Sequence, residues 1–267
     1  MNTKHIFFIL IVLSIFSCTP SDRQNQNIDT MKTNQECLIC GAPLVYLQEG
    51  DTMECAICHK RSYSNVCCEK GHFVCDECHT SGIDSIVAFC LNQTSKNPIE
   101  ILDGMMSMSF CHMHGPEHHV LVGSALLTAY HNACGKNERD QLNLEKALIE
   151  LARRAKQVPG GACGNWGACG AAISTGMYVS IVTKATPLSN ESWGLSNLMT
   201  SKALEKLGTV GGPRCCKRDS YLSTLAAIDF THEHLGVSLE KYEVKCSRNT
   251  MNNQCIGLRC PFSPLKK

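Results

Sequence analysis

The chain has 267 residues, and 43% of them are hydrophobic, which is enough for one ordinary domain with a buried core beside a smaller module. Its 25 basic and 24 acidic residues leave a formal net charge of +1, and this balance argues against a nucleic-acid partner. Nineteen cysteines are many for this length, so the functional hypotheses concern thiol and metal chemistry.

The first 18 residues have the features of a bacterial lipoprotein signal. Lys4 precedes an apolar run over residues 6–16, which is too short to span a bilayer but suits the hydrophobic region of a signal peptide. Ser17 and Cys18 follow this run directly and resemble a lipobox. We therefore predict a signal peptide over residues 1–18 and lipidation of Cys18.

A polar tether over residues 19–36 separates this signal from the first metal-binding motif. With a lipid on Cys18, we expect a protein anchored to the membrane. The alternative is translation from Met31, which would give a cytoplasmic protein. So many thiols fit a reducing compartment better than an exported one, and the sequence leaves both starts open.

Four pairs of metal-ligating residues occur close together near the N-terminus. Because each pair places two ligand atoms on one turn, two such turns can complete the tetrahedral shell that Zn²⁺ prefers. Few large apolar residues lie among them, so bound metal would supply the folding energy. We predict a zinc-binding module over residues 37–79 that holds two zinc ions; a disulfide framework is the alternative. The predicted ligands are Cys37, Cys40, Cys55, Cys58, Cys68, His72, Cys75 and Cys78.

The spacing of these pairs leaves their assignment open. A sequential arrangement joins the first pair to the second and the third to the fourth, whereas a cross-brace interleaves them. The stretch from Cys68 to Cys78 resembles the zinc-knuckle turn of RING and treble-clef modules, but the last CxxC pair of a RING is missing. The resemblance therefore implies no ubiquitin-ligase activity. Cys67, His59 and His79 are alternate ligands.

The rest of the chain has the periodicity of helices. Residues 80–110 are a helical junction with two short helices, over 83–91 and 97–106, because Pro98 suits a first helical turn. An all-α, cysteine-rich domain over residues 111–267 follows. Gly115 opens its first helix, and further helices are predicted over 144–155, 166–183, 193–207 and 220–235. The sole hint of strand alternation is at 237–244. The chain is thus predicted to be mainly α, with a small zinc-binding module before an all-α domain.

Several cysteines of this domain lie at breaks between helices. Glycine-rich turns precede the helices that follow Cys169 and Cys216, and such turns let the backbone approach a cluster or ligand closely. Cys169 falls near a helix N-terminus, where the dipole stabilises a thiolate. We predict that these cysteines converge on one cofactor-binding centre. Its members are Cys163, Cys169, Cys215, Cys216, Cys255 and Cys260.

Four separated motifs carry a family resemblance. They are MHGPEHH at 113–119, the glycine-rich stretch at 160–172, GGPRCCKRD at 211–219 and QCIGLRCPF at 254–262. Together they resemble an uncharacterised cysteine-rich domain family of bacteria and archaea, over residues 37 to the C-terminus. That family has no established activity, so the resemblance implies none. The run from Cys169 to Gly176 is more weakly similar to small helical proteins with a Cys, GCAxxG, Cys, Cys pattern that are thought to act in redox chemistry.

Two classes of function fit these features. The first is a redox or Lewis-acid enzyme built on an iron–sulfur cluster, because soft thiolates on flexible turns suit such a cluster. Its partner would be a small molecule or a redox protein. Catalytic candidates are Cys169, Cys215, Cys216 and His118, with His114 as a further acid, base or ligand. The second class is a non-enzymatic, zinc-dependent binding or scaffold protein whose C-terminal cysteines hold another zinc or form disulfides.

Overall fold

The computed structural model describes residues 37–40, 42–79, 82–135 and 142–265, and these described residues belong to one compact unit. The predicted signal peptide, Cys18, the tether and the alternative start at Met31 lie outside the described residues. Among the helices that are described, none combines the length and the apolar character needed to cross a membrane.

The N-terminal module is built on one antiparallel hairpin. Strand β1 spans Leu44–Glu54 and strand β2 spans Arg61–Cys68, and their register pairs Leu44 with Cys68 and Glu54 with Arg61. The turn between the strands contains the second CxxC pair and is closed by a hydrogen bond of 3.0 Å from the Cys55 amide to the Lys60 carbonyl. A short helix, α1, follows at Asp76–His79.

Two helices connect this module to the larger domain, as the sequence predicted. Helix α2 spans Ile83–Leu91 and helix α3 spans Pro98–Met106. Asn97 caps α3, because its side-chain oxygen accepts a hydrogen bond of 2.9 Å from the Ile99 amide. Proline at the next position lacks the amide that would otherwise need a partner.

The remaining helices form the larger domain, and the mainly-α prediction is confirmed. In chain order they are α4 (Glu117–Ala133), α5 (Leu144–Ala155), α6 (Ala162–Asn165), α7 (Gly170–Val182), α8 (Glu191–Val210) and α9 (Cys216–Leu235). Short 3₁₀ turns at Asn249–Met251 and Gly257–Arg259 interrupt an otherwise irregular tail.

Two details of the sequence interpretation were wrong. The strand suggested for 237–244 is irregular chain; the alternation there is short, and within the described residues no neighbouring strand is present to pair with it. The helix predicted over 166–183 begins at Gly170, because a separate turn of helix, α6, precedes it.

Helix α4 lies at the centre of the core. It packs against α3, α5, α7 and α9, and Leu121, Leu126 and Leu127 on it are fully buried. Gly123 permits the close approach of α5 and α7, because a Cβ atom at this position would lie 2.7 Å from the Leu151 side chain. This packing holds fixed the ends of α4, α7 and α9, where the cysteines and histidines of interest are found.

Candidate metal centres and the thiol-lined cavity

The first candidate metal centre groups Cys37, Cys40, Cys68 and His72, with one ligand atom of each within 4.8 Å of all the others. The His72 Nδ1 atom lies 3.2 Å from the sulfur of Cys40 and 3.5 Å from that of Cys68. These separations match the edges of a tetrahedron around an ion with Zn–S bonds of about 2.3 Å and Zn–N bonds of about 2.0 Å. The group could therefore hold one metal ion.

The second centre groups Cys55, Cys58, Cys75 and Cys78. The sulfurs of Cys58 and Cys75 are 3.6 Å apart, and the Cys75 amide donates a hydrogen bond of 3.4 Å to the Cys55 sulfur. Such a bond favours a ligated thiolate, because the sulfur is an acceptor. Four thiolates make this a second closed, four-ligand site.

The hairpin explains why the pairs interleave. Its register places Cys68 at the same end as the start of β1, next to the Cys37 turn, and places the Cys55 turn at the opposite end. The chain after β2 then returns to Cys55, which forms a bridge with Phe73. The structure therefore has the cross-brace arrangement and not the sequential one.

The alternate ligands fall outside both centres. His59 forms an ion pair of 3.0 Å with Glu54 on the surface. His79 stacks edge-on against His112, with ring centroids 6.0 Å apart, and burial lowers its pKa to about 4. Cys67 lines a cavity.

That cavity, of about 140 Å³, has walls from the N-terminal module and from the helical domain. Three contacts join the walls. The Asp76 carboxylate accepts a hydrogen bond of 2.7 Å from the Gly160 amide, and the Asn65 side chain donates one of 3.0 Å to Asn165. The Arg214 guanidinium lies over the Tyr46 ring, 5.3 Å from its centroid, and donates a hydrogen bond to its hydroxyl. The metal module is thus part of the site's wall.

The helical wall presents three of the predicted cysteines. Cys163 lies in α6, Cys169 caps the start of α7, and Cys216 is the first residue of α9. All three line the cavity, and Cys67 lines it from the hairpin. The sequence suggests Cys67 only as an alternate zinc ligand. Because its neighbour Cys68 belongs to the first candidate metal centre, alternation along β2 turns Cys67 to the other face, and this signal is present in the sequence.

Histidines complete the same wall. His114, His118 and His119 all line the cavity. Gly170 makes room for His119, since a Cβ atom there would lie 2.2 Å from the imidazole ring. Burial lowers the pKa of His119 and of His118, so both are neutral bases at physiological pH.

The expectation that the helix N-terminus would make Cys169 a thiolate was wrong. Burial raises the pKa of Cys169 well above its usual range, and nearby Asp219 and Cys216 raise it further. Burial also raises the pKa of Cys163. The dipole of one helix does not offset the loss of hydration together with negative neighbours. These thiols are protonated in the absence of a bound cation.

The other half of the predicted cysteine centre faces a second cavity. Cys215, Cys246, Cys255 and Cys260 line it, and it has a volume of about 20 Å³. The consecutive Cys215 and Cys216 therefore point into different cavities. Among the described residues, neither set of cysteines forms a disulfide, and neither has three ligand atoms within 4.8 Å of one another. The structure divides the six predicted members between two places, and it adds Cys246, which the sequence analysis did not include.

A third group, which the sequence analysis also missed, joins Cys111, Glu117 and His118. The motif around it was noted for its resemblance, but Cys111 was not singled out because it stands alone, with no partner cysteine at a ligand spacing. Lys217 donates a hydrogen bond of 2.9 Å to the Cys111 sulfur. Only the fold brings the start of α9 to this cysteine.

The fold and these centres define a cysteine-rich, mainly helical protein with a separate N-terminal module whose cysteines could bind metal. The chain belongs to a family of unknown function, DUF5714, which it matches over residues 86–263. The match includes the helical domain and both cavity-lining sets of its cysteines, and it begins after the N-terminal module, not at residue 37 as the resemblance suggested. No curated protein and no solved structure matches the chain.

Proposed function

We propose that this is a redox protein in which two structural zinc ions hold the N-terminal module and the helical domain carries an iron–sulfur cluster on Cys215, Cys246, Cys255 and Cys260. The observation that carries the proposal is the hydrogen bonding of these four sulfurs around one small cavity. The cluster would lie directly behind the thiol-lined cavity. Electron transfer by the cluster and the redox chemistry of the cavity thiols would then take place close together.

Backbone amides point at the cysteine sulfurs of the second cavity. The amides of Arg218, Arg248 and Gly257 donate to the sulfurs of Cys215, Cys246 and Cys255 at 3.5, 3.4 and 3.5 Å. For Cys260, burial raises the pKa, and a backbone hydrogen bond at Phe262 opposes that rise. Hydrogen bonds to the sulfurs stabilise thiolates and tune the potential of an iron–sulfur cluster.

The four sulfurs are not gathered as they would be in a preformed site for a single ion. A mononuclear site draws its ligand atoms close together, as in the two centres of the N-terminal module. In a cluster, several irons and bridging sulfides lie between the thiolates, so the cysteine sulfurs stand further apart. The four cysteines face one cavity without meeting the 4.8 Å limit of the mononuclear groups. Three of them, Cys246, Cys255 and Cys260, also come from a largely irregular tail, for which a bound cluster would supply the missing order.

Thiols in the neighbouring thiol-lined cavity could accept the electrons of the cluster. Cys163, Cys169 and Cys216 line it, and Cys216 follows the proposed ligand Cys215 in sequence. Two such thiols can form a disulfide, whose reduction takes two electrons and two protons and returns two thiols. The cluster would deliver those electrons one at a time. The partner would be a small molecule in the cavity or a redox protein. Because Cys255 is exposed, the cluster would lie near the surface that such a protein would approach.

Zinc is the metal we assign to the two centres of the N-terminal module. Three sulfurs with one imidazole, and four sulfurs, are the ligand sets of structural zinc. Both sites are closed by four protein ligands, which leaves no position for a substrate. In this proposal the zinc ions are structural, and the chemistry belongs to the helical domain.

The test is a comparison of two adjacent substitutions in protein purified without oxygen. Wild type should be brown, contain iron and acid-labile sulfide, and give a cluster signal in electron paramagnetic resonance after reduction. Cys215→Ser should lose this colour and iron. Serine also caps helices well, so α9 should still form. Cys216→Ser is the matched control, because its side chain faces the other cavity, and it should keep the cluster.

Zinc content should remain the same in both variants. A wild-type protein that contains zinc alone, even after anaerobic reconstitution with iron and sulfide, would overturn the cluster proposal and favour the zinc-dependent scaffold. Loss of the cluster in Cys216→Ser with retention in Cys215→Ser would instead move the cluster to the first cavity.

A further inference from the structure

The group formed by Cys111, Glu117 and His118 lies apart from the proposed cluster and from the N-terminal module. One ligand atom from each of these residues lies within 4.8 Å of the others. Glu117 and His118 are each 1% exposed, so two polar side chains have been withdrawn from water at one place. Burying such groups costs several kcal/mol unless they find partners, so a bound partner for these two side chains is expected.

The orientation of the His118 ring is the first feature that points to a bound metal ion. The His118 Nδ1 atom donates a hydrogen bond of 3.0 Å to the Gly115 carbonyl oxygen, which leaves Nε2 as the nitrogen with a free lone pair. Nε2 faces the Cys111 sulfur at 3.8 Å. Fixing one ring nitrogen by a backbone carbonyl while the other faces the metal is the usual arrangement around a metal-binding histidine.

Glu117 provides the second argument. Its Oε1 atom accepts a hydrogen bond of 3.0 Å from the His112 amide. Its Oε2 atom is buried, and no group in the described part of the chain donates a hydrogen bond to it. Gly115 lets this atom lie close to the backbone, since a Cβ atom there would lie 2.1 Å from Oε2. A buried carboxylate oxygen with one unused side is suited to a cation.

Lys217 completes the surroundings. It is 2% exposed, and its ammonium group donates a hydrogen bond of 2.9 Å to the Cys111 sulfur. A divalent cation on one thiolate, one carboxylate and one neutral imidazole would form a centre without net charge. Lys217 would then donate to the ligating thiolate from outside and strengthen its hold on negative charge.

We infer that Cys111, Glu117 and His118 form a third zinc site, with a fourth coordination position left for a non-protein ligand. Sulfur, nitrogen and oxygen donors together suit a borderline-soft ion such as Zn²⁺. Three protein ligands are typical of catalytic zinc, in contrast to the closed sites of the N-terminal module. His118 also lines the thiol-lined cavity, so a water or substrate on the fourth position would lie at its wall.

The experiment counts zinc per chain by elemental analysis of the purified protein, in which zinc and iron are measured separately without removal of either. Wild type should contain three zinc ions per chain, and Cys111→Ser and Glu117→Gln should each contain two. Both substitutions keep the shape of the side chain. The control is Cys90→Ala, which should retain three. It removes a buried thiol that donates a hydrogen bond to the Met105 sulfur and belongs to none of the candidate metal groups in the described part of the chain.

Replacement of zinc by Co²⁺ gives a second readout, because thiolate-to-cobalt charge transfer should fall in Cys111→Ser by the share of one thiolate: the three groups supply three, four and one cysteine sulfurs. Should both ligand variants fail to fold, X-ray absorption at the zinc edge of the wild type decides the question. An oxygen ligand is expected only from the third site, since the other two supply only sulfur and nitrogen.

Two zinc ions in the wild type, or three in both ligand variants, would overturn the inference. The iron-loaded form separates this inference from the proposed cluster. Glu117→Gln should keep its brown colour, whereas Cys215→Ser should lose the colour and keep the third zinc.

Discussion

The N-terminal module and the helical domain differ in how many apolar side chains they bury. In the module the buried apolar positions are few, chiefly Ala42 and Phe73 beside the cysteines themselves. In the helical domain one continuous core includes large side chains from α2 to the C-terminal tail. We expect the first to depend on bound metal and the second on burial. A bound ion can order a short segment that cannot bury enough apolar surface.

Cysteine has a different role in each region. In the module, the cysteines of the two centres come within reach of a single ion, and two turns supply each site. In the helical domain, Cys90 is a small buried hydrophobe against Met105, and burial raises its pKa to about 11. The cavity-lining cysteines are a third kind, gathered by the fold from distant segments. Residue type alone therefore does not define the role; the neighbours of each sulfur do.

The largest effect is expected from removal of metal from the module, which tests whether the module depends on bound metal. A chelator that strips the two closed sites should unfold residues 44–68, because structural zinc contributes on the order of 10 kcal/mol or more to such a module. The helical circular dichroism signal should change little. Limited proteolysis with mass spectrometry would locate the new cleavage sites in the hairpin.

Cys68→Ser should have the same effect as the chelator, because it removes one ligand of the first centre. Cys67→Ser is the matched control: it changes the adjacent residue on the same strand, which belongs to neither centre. A metal-free protein whose hairpin still resists protease would show that burial holds the module after all.

How much of this could be predicted from the sequence differs between the same two regions. The ligands of the module were predictable because CxxC spacing is local, but their pairing was not, since it depends on the hairpin register that brings Cys68 beside the Cys37 turn. In the helical domain the periodicity located the long helices. It could not reveal that Cys215 and Cys216 face different cavities, or that Lys217 reaches Cys111, because those relations depend on how α9 packs.

A core truncation should show the contribution of burial in the helical domain. Leu148 on α5 is fully buried, so Leu148→Ala should lower the free energy of unfolding by about 2–5 kcal/mol through lost transfer energy and a cavity. Ile149, the next residue, is 54% exposed. Ile149→Ala should therefore cost well under about 1 kcal/mol.

Urea unfolding followed by circular dichroism, with both zinc sites loaded, would measure these differences. The module's zinc content should be the same in both variants. Equal losses for Leu148→Ala and Ile149→Ala would contradict the assignment of α5 to the core.

The smallest effect concerns a surface ion pair on the same helix. Glu150 accepts hydrogen bonds of 2.8 Å from Arg153 and of 2.7 Å from Arg154. The bonds from Arg153, and then those from Arg154, lower the pKa of Glu150 to about 2. Because the folded-state pKa is below that of the unfolded chain, the stabilisation is present above about pH 4.5 and is lost as the pH falls toward about 2. Glu150 is 34% exposed, so solvent screening limits its contribution to about 0.5 kcal/mol.

Glu150→Gln should accordingly lower the free energy of unfolding by this small amount at pH 7 and by less at pH 3, where the wild type has lost part of the same contribution. Acid also releases metal from thiolate and imidazole ligands, but it does so in both proteins. The difference between their unfolding free energies at each pH therefore reports on the Glu150 carboxylate.

Glu205→Gln on α8 is the control, because within the described part of the chain this exposed carboxylate forms no ion pair. It should change stability equally little at both pH values. A Glu150→Gln effect that grows on acidification would reverse the sign of the linkage and show that the two arginines do not stabilise the charged form. High salt should reduce the effect at pH 7, since the pair lies at the surface, whereas the cost of Leu148→Ala should persist because it arises from packing.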